Sequence, residues 1–289
     1  MPVNVGTLTG RTLELVDVMH RRRADICLVQ ETKWKGAEAK EIGRGYKLLY
    51  SGTRSDRNGV GIVVAPKFKT SIIDCNRISD RLMAIRILVN SRILNVICGY
   101  APQSGCSDDE KDQFWEDMAA LTLGVPLTEV LIAGGDFNGH VGQHTGSHPR
   151  SHGGRGFGVL NEEGERILEW ASSQDLAVAN TFFAKRRNHL ITYSSGGRET
   201  QIDYFVTRRV DLRLVSNCKV IPSDCLATQH IPLFLDIIYE GKKPNPAKTE
   251  VARVKWWRLS RVKLQYSTQA TCAVNRSMMY NESLNVEED

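Results

Sequence analysis

Apolar positions along the chain fall into two rhythms, and each rhythm predicts its own kind of element. Runs of strand length recur at 25–30 (DICLVQ), 60–65 (VGIVVA), 82–89, 93–100, 130–134, 176–181, 202–207 and 233–239. Those at 60–65 and 130–134 are apolar without alternation, as expected of strands covered on both faces. Three other stretches carry helical spacing. Residues 12–23 set Leu13, Val16 and Met19 on one stripe, and 108–123 opens on a Ser107/Asp108 cap and carries Phe114, Trp115, Met118 and Leu121. The third, 161–173, opens on Asn161 and carries Ile167, Leu168 and Ala171. Many strands punctuated by few helices, with strand following strand from 46 to 100, predict a two-sheet α/β sandwich flanked by helices. A simple βαβ repeat fits less well.

From about Gly241 the pattern changes. A Pro-broken segment begins at Lys242, and Lys248, Arg253, Lys255, Arg258, Arg261 and Lys263 surround Trp256-Trp257. The division predicted is a folded domain over 1–240 and a basic tail over 241–289, largely disordered beyond about 264. The two tryptophans could stack on nucleic acid or pack as a strap on the domain. Composition adds bounds. At 289 residues, 41% hydrophobic and 25% charged, the chain can bury one large core. A net charge of +5 suits a polyanionic partner without proving one. The seven cysteines are odd in number, scattered and free of C-x-x-C spacing, which predicts free thiols in a reducing compartment. No signal peptide is visible and no run approaches the roughly 18 apolar residues of a membrane span. The expectation is a nuclear or cytoplasmic protein, not secreted and not bound to a membrane. No obligate protein partner is indicated, and the oligomeric state is not legible.

Candidate chemistry lies at the ends of the predicted strands, where loops bring polar groups together. It comprises Asn4 in VNVGTL, Glu31 in Gln30-Glu31-Thr32, Tyr100 in Gly99-Tyr100-Ala101-Pro102, Asp136 and Asn138 in Gly135-Asp136-Phe137-Asn138, Asp203 in Gln201-Ile202-Asp203-Tyr204, and Gln229-His230. Taken singly, each has a plainer reading as a turn former, a cap or a satisfied surface group. Taken in order, the series resembles the endonuclease/exonuclease/phosphatase superfamily over residues 1 to about 240. Within it, QETKWKG (30–36), RNGVGIVV (57–64), NVICGYAPQ (95–103), GGDFNGHVG (134–142) and TYSSGGRETQIDY (192–204) resemble the endonuclease domain of LINE-type retrotransposons and its craniofacial development protein 2-like copies.

That resemblance implies a DNase I-like fold, a four-layer α/β/β/α sandwich of two mixed sheets flanked by helices. It implies Mg²⁺, with Mn²⁺ as a substitute, and DNA as the partner. Glu31 would bind the cation, Asp136 would orient or deprotonate the attacking water, and Asn138 would hold a phosphate oxygen. Asn4 would support Asp136, Tyr100 would contact the phosphate or leaving group, and His230, oriented by Asp203, would stabilise the charge building on a non-bridging oxygen. Arg54, Arg57, Asn58 and Thr192 would contact nucleic acid. Two positions depart from the family pattern. Gln229 stands where an Asp usually precedes the histidine, leaving at most a weak metal ligand, and Gly6 stands where an acid or amide often follows Asn4.

The implied activity is a Mg²⁺-dependent DNA endonuclease derived from a LINE-type element and lacking a reverse transcriptase. A catalytically weakened nucleic-acid-binding module on the same fold stays open as an alternative. A phosphatase fits less well, because the chain has GDFNGH and TQIDY where those relatives carry other motifs. Three further features carry plain expectations. His140, His144, His148 and His152 repeat every four residues, but the Gly, Ser and Pro between them forbid a helix and predict a polar surface loop rather than a metal face. Arg21-Arg22-Arg23 should complement a helix dipole. Lys185-Arg186-Arg187 should flank the groove.

Overall fold

The computed structural model describes residues 1–224, 226 and 229–238. The tail expectations, with Trp256-Trp257, and Cys225, Thr228 and Cys272 lie outside them. The first sheet comprises β1 (Pro2–Asn4), β2 (Ile26–Gln30), β3 (Ala39–Ile42), β4 (Tyr46–Ser51) and β5 (Val60–Val64), in the order β1-β2-β5-β4-β3. The second comprises β6 (Ile72–Arg77), β7 (Leu82–Val89), β8 (Arg92–Tyr100), β9 (Val130–Asp136), β10 (Leu176–Val178) and, beyond a hairpin of β11 (Tyr193–Ser195) and β12 (Arg198–Thr200), β13 (Asp203–Arg208). Its order is β10-β13-β9-β8-β7-β6. A last antiparallel pair joins β14 (Val215–Val220) to β15 (Leu233–Ile237).

Both large sheets are mixed for one reason. Their parallel pairs, β1–β2 and β8–β9, each need a crossover. The helices α1 (Thr12–Arg22) and α2 (Asp108–Leu123) supply it. In α2, Ser107 caps the first turn by accepting from the Glu110 N–H at 3.3 Å, with Asp108 and Asp109 at the positive end of the dipole. A third helix, α3 (Glu162–Ser173), starts at Asn161, whose side chain accepts from Gly164 N at 2.8 Å and from His140 N at 2.8 Å. That second bond ties the loop after β9 to the helix start.

Alternation along the strands builds the layers. Leu28, Val60, Ile62, Met83, Ile85, Val96, Ile132 and Phe205 fill the space between the two sheets. The residues alternating with them face outward: Cys27, Val29 and Val63 meet Leu15 and Met19 of α1, and Leu82, Ile97, Leu131 and Ala133 meet Phe114, Met118, Ile167, Leu168 and Trp170 of α2 and α3. The result is the α/β/β/α sandwich that the sequence predicts. Strands apolar on both faces are a consequence of having a layer on each side. Among the described residues, no helix is long and apolar enough to cross a membrane.

Four details differ from the sequence reading. Leu13 is exposed, and the buried stripe of α1 runs through Leu15, Val16, Val18 and Met19 instead. The strand expected over 176–181 stops at Val178 and turns into a short 3-10 helix over Ala179–Phe182. The reason is Asn180, whose amide donates to the Asp203 carbonyl at 3.0 Å and accepts from Phe205 N at 3.0 Å, replacing the ladder that a strand would have formed. The histidine loop is not a free surface loop. His152 is fully buried, donating from Nε2 to the Gly142 carbonyl and accepting from Gly154 N at Nδ1, while His148 docks on Glu165 and Ser172 of α3. Burial lowers the His152 pKa, in keeping with a neutral ring used as structural glue.

The fourth concerns the arginines ending α1, which do more than complement a dipole. Arg21 and Arg22 both reach the buried Asp224, at 2.8 and 2.6 Å, and Arg11 donates to the carbonyls of Val5 and Leu226 at 3.0 Å each. The segment leading to His230 is thereby pinned to α1. Burial would raise the Asp224 carboxyl, but the two guanidinium groups hold it below the ordinary value. Replacing Asp224 by Asn should lower stability by about 2 kcal/mol, read as a fall of roughly 4–8 °C in Tm. Because the folded-state pKa is depressed, this contribution is present above the unfolded carboxylate value near ~3.9 and disappears as pH falls through the folded-state value. Thermal melts of wild type and Asp224→Asn should therefore converge in acid.

Candidate active site

The polar strand ends meet at one edge of the sandwich. Across β9, Asp136 is flanked in register by Tyr100 of β8 and Asp203 of β13. Across the first sheet, Asn4 of β1 is opposite Gln30 of β2, so Glu31 follows at the same edge. Gly99 and Gly135 are register partners just below, where a Cβ on Gly135 would run into the Gly99 carbonyl oxygen. Glycine lets β8 and β9 carry their functional residues this close.

One amide joins the two sheets. Asn4 Nδ2 donates to Glu31 Oε1 at 2.9 Å and to Asp136 Oδ2 at 3.1 Å, and its Oδ1 accepts from Gly6 N at 3.0 Å. Gly6, at φ 64°, closes that turn in the left-handed region, which suits glycine and explains the loss of a side chain there. Tyr100 donates from its hydroxyl to the same Glu31 oxygen at 2.9 Å, while Lys33 Nζ lies 3.3 Å from the other. Burial would raise the Glu31 carboxyl, yet Asn4, Tyr100 and Lys33 bring it below its ordinary value, so it is anionic at neutral pH. Burial beside Glu31 pushes the Tyr100 hydroxyl well up, which keeps it a donor.

Backbone strain gathers at the same edge. Glu31, Lys33 and Asn138 have φ of 54°, 50° and 48°. The first two are held by Thr32 N and Lys33 N, which donate to the carbonyls of Gly59 and Asn58 at 3.0 Å each. Residues kept in this region cost on the order of 1 kcal/mol or more, and surrounding structure must impose them. Asn138 accepts its turn by donating from its N–H to Asp136 Oδ1 at 3.1 Å and from Nδ2 to the Ala101 carbonyl at 2.9 Å.

The second half of the site is a carboxylate–imidazole–carboxylate row. His230 Nδ1 lies 3.1 Å from Asp203 Oδ2, and its Nε2 lies 3.8 Å from Asp136 Oδ2. Burial would strip the imidazole of its proton, but Asp203, Asp136 and Glu31 hold it, raising His230 to about 9. Burial and the nearby Asp203 outweigh His230 at Asp136, whose carboxyl is pushed up to about 7. Asp203 Oδ1 is buried with no hydrogen-bond partner. Acidic oxygens with an orphan among them suit a hard divalent cation, and the Asp136 and Asp203 carboxylates, grouped with His230, could hold one when the imidazole is neutral or turned aside. Glu31 faces the same space through the shared Asn4 amide.

Other expected residues fall elsewhere. Gln229 is exposed and donates from Nε2 to Ser195 Oγ at 2.9 Å, which ties its amide nitrogen to the hairpin. Thr192 is fully buried, its hydroxyl accepting from Ile202 N and Asp203 N at 2.9 and 3.1 Å, which makes it a support for Asp203 and not a contact for nucleic acid. Arg54 and Arg57 are exposed on the loop before β5, Arg54 being paired with Asp56 at 2.6 Å. Asn58 donates to Asp80 at 3.3 Å and carries the carbonyl that latches Lys33. Sequence reasoning passed over Lys33 and Asn180, and gave Thr192 a different role. The one available signal was a buried-strand pattern interrupted by a lone amide, Asn180 in LAVANT.

A two-sheet sandwich with an acid-and-histidine cluster at its strand ends defines the DNase I-like class. Residues 3–228 match the family model described as endonuclease/exonuclease/phosphatase family, and the chain belongs to that family. Craniofacial development protein 2 of Bos taurus is 33% identical over 227 residues, covering 77% of this chain and 38% of that protein. The same protein of Tragulus javanicus is 32% identical, covering 77% and 39%. The chain thus spans about two fifths of the length of these curated relatives. Similar folds include the endonuclease domain of TRAS1, a telomere-specific non-LTR retrotransposon, at TM-score 0.60, 16% identity and coverage of 83% and 97%. An AP endonuclease from Archaeoglobus fulgidus gives TM-score 0.63 at 18% identity, covering 82% and 97%. A 3′-5′ exonuclease from Neisseria meningitidis gives 0.64 at 15%, covering 82% and 98%.

Lys33 is a resident cation on Glu31, the acid that the family resemblance assigns to the metal. Removing it should strengthen divalent-cation binding. We expect Lys33→Met to bind Mn²⁺ in the absence of DNA on the order of 3–10-fold more tightly than wild type, the scale of a partly exposed ion pair. Titration followed by electron paramagnetic resonance measures it directly.

Proposed function

We propose that the protein is a Mg²⁺-dependent endonuclease that hydrolyses DNA phosphodiester bonds and descends from a LINE-type retrotransposon endonuclease. The observation that carries this reading is the hydrogen-bonded line from Tyr100 through Glu31 and Asn4 to Asp136, facing the Asp203–His230 pair across 3.8 Å. Mg²⁺, or Mn²⁺ in its place, held by Glu31 with the neighbouring acids, would neutralise charge building on the phosphate. Asp136 has a carboxyl near neutrality and takes the proton of the attacking water as its oxygen bonds to phosphorus. His230, protonated and oriented through Nδ1 by Asp203, donates from Nε2 to the non-bridging oxygen. Asn138 has an amide hydrogen beyond the Ala101 bond to offer a phosphate oxygen, and Tyr100 stays protonated beside the leaving group. The phosphorus–oxygen bond opposite the incoming water breaks, and the leaving oxygen keeps the electron pair and takes a proton from solvent. Arg54 and Arg57 lie on an exposed loop suited to neutralising flanking phosphates.

The Lys33–Glu31 pair favours a second reading, a nucleic-acid-binding module with weakened catalysis. Supercoiled plasmid separates the two. Wild type with Mg²⁺ should nick it, EDTA should stop nicking, and Glu31→Ala and Asp136→Ala should each lower the rate by about 100-fold or more. Wild type that binds the plasmid without nicking it in Mg²⁺ or Mn²⁺ would establish the module instead.

The pH dependence follows from the same pair. Asp136 must be deprotonated to accept a proton, and His230 must be protonated to donate one. We expect kcat/KM to rise as pH passes about 7 and to fall above about 9. A profile flat across this range would remove both groups from these roles.

A further inference from the structure

We propose that Tyr193 and Gln229 are positioning residues for His230, and that the β11–β12 hairpin is the arm that sets where the imidazole points. Three consecutive residues, Gln229 to Ile231, lie antiparallel against the base of that hairpin. Ser194 N donates to the Gln229 carbonyl at 2.9 Å, and Ile231 N donates to the Thr192 carbonyl at 2.8 Å. These bonds bracket Tyr193 and His230, which form an isolated bridge. The two are therefore a non-hydrogen-bonded pair, the arrangement that brings opposite side chains closest. Their rings meet at 4.8 Å between centroids and 65° between planes, an edge-to-face contact.

Each contact constrains a different freedom of the imidazole. The bond from Nδ1 to Asp203 Oδ2 fixes one ring atom at 3.1 Å but lets the ring tilt about it. The Tyr193 edge removes that tilt, which keeps Nε2 directed toward Asp136. Gln229 acts on the backbone. Its side chain is exposed yet bonded to Ser195 Oγ at 2.9 Å, a contact worth little to stability but able to lock the register of 229–231 on the hairpin. Thr192 holds the other member of the pair from the same hairpin base, accepting from Asp203 N at 3.1 Å. One short element thus braces both the segment of the imidazole and the strand of its carboxylate partner. Beyond Ser195 the hairpin is exposed, turning at Gly196-Gly197 and presenting Arg198. The residue at 229 serves this mount in place of an acid in the cation site.

Kinetics and imidazole resonances test the inference separately, since the kinetic part rests on the nuclease reading and the spectroscopic part does not. Tyr193→Ala should lower kcat by about 10–30-fold with KM little changed, because misplacing a catalytic group by a fraction of an ångström costs about that much. Tyr193→Phe keeps the ring edge and should restore the wild-type rate. Gln229→Ala and Ser195→Ala should each cost about 3-fold in kcat, and the double variant no more than either alone, as for two ends of one bond. None of the three should change the Mg²⁺ concentration needed for half-maximal rate. A rise in KM at constant kcat, additive losses at 195 and 229, or a changed Mg²⁺ requirement in Gln229→Ala would overturn the proposal. In the free protein, the His230 ring resonances should move in Tyr193→Ala and Gln229→Ala and return in Tyr193→Phe, with melting temperature held. Unmoved resonances would overturn it even in an active enzyme. Moved resonances in Gln229→Ala, which removes no ring beside the imidazole, would uphold the mount even where the wild type nicks no DNA, an outcome that defeats the nuclease reading alone.

Discussion

The Asn4 amide is the interaction on which the site depends, because it is the covalent span of one side chain that links acids carried by different sheets. Glu31 follows β2 of the first sheet and Asp136 ends β9 of the second, and both accept from Nδ2 of the same residue. The bond pattern also fixes which way the amide faces, since Oδ1 is taken by Gly6 N. Two carboxylates brought this close repel one another and lose solvation on burial. A neutral bidentate donor between them offsets part of both costs without neutralising either charge. The inter-sheet packing of Leu28, Ile62, Met83, Val96 and Ile132 below it then acts as a spacer that sets how near the two edges come.

Around this bridge the charge balance is arranged in tiers. Acids outnumber the two cations His230 and Lys33, and one carboxylate oxygen of Asp203 is buried without a partner. Such surplus negative potential in a low-dielectric edge is sustained only by elements that cannot relax, and the rigid parts are visible. Asn180 grips the backbone of β13 on both sides of Tyr204, Thr192 grips its start, and Arg21, Arg22 and Arg11 pin the segment before His230. Strained backbone at Glu31, Lys33 and Asn138 is tolerated because the Gly59, Asn58 and Asp136 groups hold it.

The two positions that depart from the family pattern are both employed. Gly6 uses a left-handed turn to orient Asn4, and Gln229 ties the histidine segment to the hairpin. Their lost acids leave Glu31 as the one carboxylate in the first half of the site, with Lys33 beside it. On the reading proposed above, that lysine and a cation would compete for Glu31.

The layered fold was legible in the residues themselves, because period and length are local properties. A strand with a layer on each side reads as an unbroken apolar run, and Ser107 and Asn161 announce α2 and α3 to the residue. The members of the site were legible as polar residues ending apolar runs, since a strand end is a place that sequence marks. What their side chains touch was not. Thr192, read as a surface contact, is buried because its hydroxyl accepts from the backbone that opens β13, and the Gln229 amide bonds Ser195 because the hairpin, distant in sequence, lies beside it in space. Leu13 and His152 exchange the expected outside and inside for the same reason: a neighbouring layer, not the period, decides burial at the edge of a stripe or in a loop. Local pattern thus determined the three helices and the buried strands of both sheets, whereas short or edge strands such as β3, β6 and the β11–β12 hairpin, and the end of β10 at Val178, were set by tertiary partners. Pairings across long separations, such as Asn4 with Asp136, Asp203 with His230 and Tyr193 with His230, exist only once the two sheets have packed.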